Sequence, residues 1–192
     1  MKKLIITAAS ILASNFMFAQ GWGMDRSHSS VKFSISHMVV SEVQGSFRKF
    51  TGTLASEKDD FTDAKIDFTI DVNSIDTDEP QRDAHLKSAD FFDVAVNPNI
   101  NFKSKSFTKV GANKYKLVGD LTMHGVTKSY SFEVTNGGTI KDPYGNKRTG
   151  FKVVGNINRY DFGLKYNAVL EAGGLTIGET LDFVTYVEFT KK

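Results

Sequence analysis

Apolar and polar residues alternate with a period of two through nearly the whole chain, and no other feature narrows the possible folds as much. Residues 64–72 show it most cleanly: Ala64, Ile66, Phe68, Ile70 and Val72 interleave with Lys65, Asp67, Thr69 and Asp71. In an extended chain successive side chains point to opposite faces, so this pattern gives a strand with one buried and one wet face. The same pattern recurs at 31–39 (Val31, Phe33, Ile35, His37, Val39), at 115–123 (Tyr115, Leu117, Gly119, Leu121, Met123) and at 151–157 (Phe151, Val153, Gly155, Ile157). Tyr130, Phe132 and Val134 carry it again, Ile100 and Phe102 open a weaker copy, and Leu181, Phe183, Val187 and Phe189 make a closing strand. Residues 44–54 slip in phase between Phe47 and Phe50, which predicts a bulge or bend near Gly45 or Gly52.

Turn signals separate these eight segments: Asn136-Gly137-Gly138, Asp142-Pro143-Tyr144-Gly145-Asn146, Gly173-Gly174 and residues 109–113. No long crossover helix, repeat or linker divides them. The expectation is one mainly β domain over 20–192, an antiparallel barrel or tightly curved sandwich. Eight strands make a barrel that either fills its interior with side chains or holds one small ligand. The inward positions are rich in Phe, Ile, Val and Leu, and inward Gly119 and Gly155 are expected to leave space.

One stretch, 74–93, breaks the alternation. Pro80 suits the first turn of a helix, where its missing N–H costs nothing. Asp78 and Glu79 favour the positive end and Lys87 the negative end. Arg82, His85, Ala89 and Phe92 recur at helical spacing, so a short helix over about 79–90 is expected to lie as a lid on the sheet.

Residues 1–19 read as a secretory signal peptide: Lys2-Lys3, an apolar run, then Ala19 before Gln20 as the cleavage position. The run is too short for a spanning helix, which needs about 20 residues. Removing Lys2 and Lys3 leaves 22 basic against 22 acidic side chains. That balance gives no footprint for nucleic acid, and no later segment is apolar enough to span a membrane. The chain has no cysteine, which removes disulfides, thiol chemistry and thiolate metal sites together.

The remaining histidines, His28, His37, His85 and His124, lack the close spacing of a local chelate, and no metal site is expected. No nucleophile elbow, HExxH or phosphate-cradling loop occurs, so neither catalytic residues nor a cofactor are expected. Asp25, Arg82, Asp83, Arg159 and Asp161 stand at element ends, where paired structural charges are the leading reading and acid–base groups the rival. Phe33, Ile35, Ile66, Phe68, Ile70, Phe102, Leu121 and Phe132 are the candidate cavity lining, with Phe91, Phe92 and Phe162 at its rim.

Several of these residues also form ordered motifs: His28-Ser29-x-Val31-x-Phe33 with His37, Gly45-x-Phe47, Ser74-Ile75-Asp76-Thr77, and Arg82-Asp83-x-His85-Leu86. Further along come Asp90-Phe91-Phe92-Asp93, Pro98-x-Ile100-x-Phe102-x-Ser104, residues 119–128, Gly150-Phe151 and Arg159-x-Asp161-Phe162-Gly163. In this order they resemble the YceI-like family of exported bacterial lipid-binding proteins. The resemblance implies a lipocalin-like eight-stranded antiparallel barrel, a cavity for a polyisoprenoid or other long-chain amphiphile, a periplasmic or secreted location, and often a homodimer. It carries over no catalytic residue. The rival readings are a metal- or acid–base-assisted enzyme using His85 and His124, and a structural barrel with a filled core.

Overall fold

The computed structural model describes residues 21–169, 173 and 175–191; the expected signal peptide and Gly174 lie outside these. Ten strands form: β1 (Trp22–His37), β2 (Ser41–Phe47), β3 (Phe50–Ala55), β4 (Lys65–Asp71), β5 (Ile75–Asp76), β6 (Asn99–Lys109), β7 (Lys114–Met123), β8 (Val126–Lys141), β9 (Lys147–Asn158) and β10 (Ile177–Lys191). They make one antiparallel sheet that closes on itself, because β1 pairs with β10 as well as with β2 and β3.

Two of the breaks are bends within single strands. β2 and β3 flank Arg48-Lys49 and pair with successive halves of β1, whereas β4 and β5 flank a 3-10 turn at Val72–Ser74 and pair with β3 and β2. The barrel therefore has eight staves. The bend expected near Gly45 or Gly52 falls at Arg48-Lys49. There the ladder is interrupted, and Ser74 replaces it: its carbonyl accepts from Arg48 N–H and its hydroxyl from Lys49 N–H, both at 2.9 Å.

The helix α1 spans Pro80–Lys87, shorter than expected. Glu79 caps its start by accepting from Gln81 N–H at 3.1 Å, and Pro80 takes the first turn. At the other end Ser88 is extended, and its hydroxyl donates to the His85 carbonyl at 2.8 Å. The chain turns away there, so Ala89 is exposed and Phe92 packs from the following turn, not from the helix face.

The two ends of the barrel differ. At the lower end the 56–64 loop drives Phe61 inward until it is 2 % exposed, against Trp22 and Phe151 at ring distances of 5.5 and 5.2 Å. Asp63 pins that loop by accepting from Ser56 Oγ at 2.6 Å and Glu57 N at 2.9 Å. The upper end carries α1, the β7–β8 turn at His124-Gly125, and a second 3-10 turn at Arg159–Phe162.

Between the ends, glycines shape the wall. A Cβ at Gly45 would lie 2.4 Å from the Phe33 ring, at Gly52 2.7 Å from Phe68, at Gly119 2.4 Å from Phe102, and at Gly155 2.6 Å from Phe132. Each ring occupies the notch that its glycine leaves. The space expected beside Gly119 and Gly155 is therefore taken by aromatic rings, because a phenyl group gains more by covering bare backbone than by standing in a void. Those rings hug the wall instead of crossing the lumen.

Two outcomes follow. Gly155→Ala should cost about 1–3 kcal/mol, the usual penalty for overpacking, and should reduce the capacity of the lumen by pushing Phe132 and Phe183 inward. Gly23→Ala, whose new methyl would meet only Thr190 O at 3.7 Å, should do neither, so equal melting curves for the two variants would contradict this. The second outcome concerns acid. Hydrogen bonds from Ser56 and Glu57 hold the Asp63 carboxyl at about 2, and Arg148 holds Asp142 at about 2. Both lie below the unfolded value of about 3.9, so their stabilisation is complete above that pH and is lost as pH falls through about 2. The melting midpoint should be level from neutral pH to about pH 5 and fall below about pH 4, less steeply in Asp63→Asn. A midpoint unchanged at about pH 2 would refute it.

Candidate functional site

The lumen is a cavity of about 400 Å³ running from the lower core to the upper end. Its floor is hydrocarbon: Leu54, Phe107, Leu117, Val134, Phe151 and Phe189 are each buried. Beside and above this floor, Phe33, Ile35, Ile66, Phe68, Ile70 and Phe102 face inward yet are only half-buried. An inward apolar side chain in a filled barrel would be fully covered. Here the uncovered surface faces the lumen, which distinguishes a hollow barrel from a packed one.

Ten of the eleven expected site residues are on this wall: the six just named with Leu121, Phe132, Phe91 and Phe92. Phe162 is not. It is 0 % exposed, stacked on Tyr130 at 5.7 Å, and forms part of the core that supports the mouth. The reason is local. Asn158 caps the Arg159–Phe162 turn by accepting from Tyr160 N–H, Gly163 ends it with φ +77°, and His124 Nδ1 donates to the Phe162 carbonyl at 3.0 Å. That geometry turns the ring into the core. Phe183, Phe47 and Tyr166 also line the lumen. Phe183 and Phe47 are visible in the alternation, but Tyr166 sits in an irregular segment with no periodic signal.

At the mouth three rings meet. Phe91 lies 4.8 Å from Tyr166 and 5.0 Å from His85, and His85 lies 4.9 Å from Tyr166, both His85 contacts being edge-on. His85 Nε2 donates to Asp90 at 2.9 Å, which fixes the ring. Tyr166 itself is 46 % exposed, so the trio is a thin cover over the cavity.

Arg159 holds the segment that carries Tyr166. It is 4 % exposed and donates from Nε to Gly178 O at 2.8 Å, from Nη1 to Leu164 O and Tyr166 O, and from Nη2 to Ile177 O at 3.3 Å. Asn167 adds a second clasp, donating to Ile177 O at 2.7 Å and accepting from Ile177 N–H at 3.0 Å. Arg82 is anchored differently, donating from Nε to Thr77 Oγ1 and from Nη2 to Thr77 O at 2.8 and 2.7 Å. Asp83 supports Thr77 in turn by accepting from its N–H and hydroxyl. These two arginines thus hold backbone and hydroxyl oxygens, not the carboxylates a paired-charge reading expects. The loops here present carbonyls inward, and guanidinium forks match them.

Asp25, in contrast, is an ion-paired group. Arg148 Nη1 donates to Asp25 at 2.8 Å and to Glu188 at 2.5 Å, and His28 donates to Asp25 at 2.9 Å. Asp25, His28 and Glu188 are the one trio among the described residues close enough to share a cation, and the Arg148 guanidinium already bridges two of them. The Asp25 carboxyl is held far below the usual range by Ser27, His28 and Arg148. His85 and His124, the pair on which a metal-assisted reaction would depend, are engaged separately with Asp90 and the Phe162 carbonyl.

Comparison with known proteins agrees with this geometry. A UPF0312 protein of Staphylococcus aureus (strain N315) is 39 % identical over 178 residues, covering 92 % of this chain and 98 % of its own. The crystal structure of the Campylobacter jejuni YCEI protein superposes with a TM-score of 0.71 at 28 % identity, over 82 % of this chain and 90 % of that one. A polyisoprenoid binding domain from Saccharophagus degradans shares the fold at 16 % identity, TM-score 0.65, over 89 % of this chain and 98 % of that one. The model of the YceI-like domain matches residues 22–189, so the chain belongs to the YceI-like family.

Proposed function

We propose that this protein binds a long-chain amphiphile, an isoprenoid or comparable lipid, with the tail in the lumen and the head at the mouth, and performs no chemistry on it. The observation that carries this is the set of half-buried, inward-facing hydrocarbon residues above a sealed, apolar floor. Each methylene removed from water contributes about 0.8 kcal/mol. A tail of some tens of carbons therefore exceeds the roughly 4–15 kcal/mol cost of association. The Saccharophagus relative, described as a polyisoprenoid binding domain, supports the same ligand class.

Such a lipid is nearly insoluble, so a container of this kind stores it or carries it between membranes. With the leader at residues 1–19, the compartment proposed is the periplasm or the extracellular space. The apolar tip Met38-Val39-Val40, exposed at the upper end where Met38 N–H donates to Thr176 O, stands where a carried lipid would enter and leave.

Organic extraction of the purified protein followed by native mass spectrometry should reveal a co-purifying long-chain lipid, or uptake of an offered isoprenoid by the emptied protein. The absence of both a co-purifying lipid and uptake would sink the reading. If the ring trio is the cover, Tyr166→Ala should speed both uptake and release of a fluorescent isoprenoid by about tenfold, the effect of removing about 1.4 kcal/mol from a barrier. Equilibrium affinity should change much less. An unchanged release rate would show that the lipid passes elsewhere.

A further inference from the structure

The turn between β1 and β2 is built against the ordinary preferences of its residues. His37 and Ser41 are cross-strand partners, so Met38, Val39 and Val40 alone span the turn. Met38 takes φ +51° and Val39 φ +65°. That left-handed region suits glycine or asparagine, and a β-branched residue there is a rare outlier, because its Cβ crowds the following carbonyl. Tight hairpin turns ordinarily carry Gly, Asn or Asp for this reason.

The packing of the barrel does not offset that strain. Val39 and Val40 are 71 % and 86 % exposed, and Met38 is exposed beside them. An Asn-Gly turn would serve the barrel better on its own account. Strain is commonly stored at functional sites, and here it is kept to hold three hydrocarbon side chains in the open.

The turn stands at the rim of the lumen. Ser36, His37 and Val43 line the cavity and flank the turn on both strands. On the other side Met38 N–H donates to Thr176 O at 2.8 Å, and Thr176 also lines the cavity. The neighbouring Leu175 bridges to Val169, which is exposed as well. Apolar side chains on two adjoining turns therefore stand at one side of the opening.

Shape and area decide what covers them. A hairpin tip of three side chains falls far short of the roughly 800 Å² per partner that a stable protein interface buries. It is convex, so it offers no groove for an apolar peptide. A bilayer accepts such a tip: the hydrocarbon enters among the acyl chains, and the exposed Ser41 and Glu42 stay at the level of the head groups.

Resting on the amphiphile reading above, we propose that the Met38–Val40 turn dips into the outer layer of a phospholipid bilayer and sets the mouth of the lumen against it. A lipid then passes between bilayer and lumen without crossing water. So small an apolar tip gives weak, reversible attachment, which a carrier needs.

Flotation with phosphatidylcholine vesicles, with and without phosphatidylglycerol, tests this on the protein from Gln20 onward, so that the apolar leader cannot itself bind the vesicles. The turn is uncharged, so binding to the two vesicle types should agree within about threefold and persist at high salt. The double variant Val39→Asn with Val40→Ser should bind vesicles at least about tenfold more weakly. It should melt no lower than the wild type, because asparagine accepts the left-handed backbone, and it should take up a long-chain isoprenoid as before. Val40→Phe, which enlarges the inserted surface, should raise vesicle binding. Failure to bind either vesicle type, binding that requires phosphatidylglycerol and fades with salt, or binding that survives the double substitution overturns the proposal. So does a lower melting point of the double variant, or a dimer in sedimentation that the double substitution splits. In each case isoprenoid uptake by the wild type leaves the lumen reading standing, and loss of that uptake removes both.

Discussion

Fourteen of the sixteen phenylalanines fall among the described residues of a barrel of eight staves, and they can coexist with a hollow only if their rings have a place to lie, which glycines on the wall supply. Phe33 lies over Gly45, Phe68 over Gly52, Phe102 over Gly119, and Phe132 and Phe183 over Gly155. The first two pairs and Phe183–Gly155 are direct cross-strand partners, so register itself brings ring and notch together. A ring seated against bare backbone covers it from water and keeps the ring close to the wall. The wall is thus both tightly packed and smooth, and the space in the middle is what remains.

The rest of the molecule closes one end of that space and governs the other. The Phe61 plug is backed by Trp22, Phe151 and the Asp63-pinned loop, so the floor is sealed by burial reinforced with local hydrogen bonds. At the mouth the bonds have another character. Arg82 holds Thr77, Arg159 ties the Leu164–Tyr166 stretch to the start of β10, and a thin group of rings, Phe91, His85 and Tyr166, bridges the gap. The cavity thus has two unlike ends, a sealed apolar floor and a lightly covered mouth braced by two arginines.

How much of this could be read in the sequence depends on whether the cause is local. Strand faces are local, so Ile66, Phe68 and Ile70 could be placed on the lumen wall from alternation alone, and the helix start followed from Pro80. The helix end could not, because Ser88 stops it by capping back onto His85, a choice that competes evenly with one more helical turn. Phe162 was misplaced for a related reason: its orientation is set by the αL turn at Gly163 and by His124, 38 residues away. Glycine notches were visible as residues, but their meaning required register. An inward glycine reads as empty space until the neighbouring strand shows which ring fills it. Tyr166 and the carbonyl-gathering role of Arg159 depend wholly on tertiary contacts and left no sequence pattern.

Electron density from crystals grown with a long-chain isoprenoid such as geranylgeraniol would test the central claim most directly. The account predicts a continuous tail running from the mouth past Phe91 toward Leu54 and Phe107, with Phe33, Phe68, Phe102 and Phe132 still seated against their glycines. A lumen crossed by those rings, with no room between them and the lipid bound on the outer surface, would contradict it.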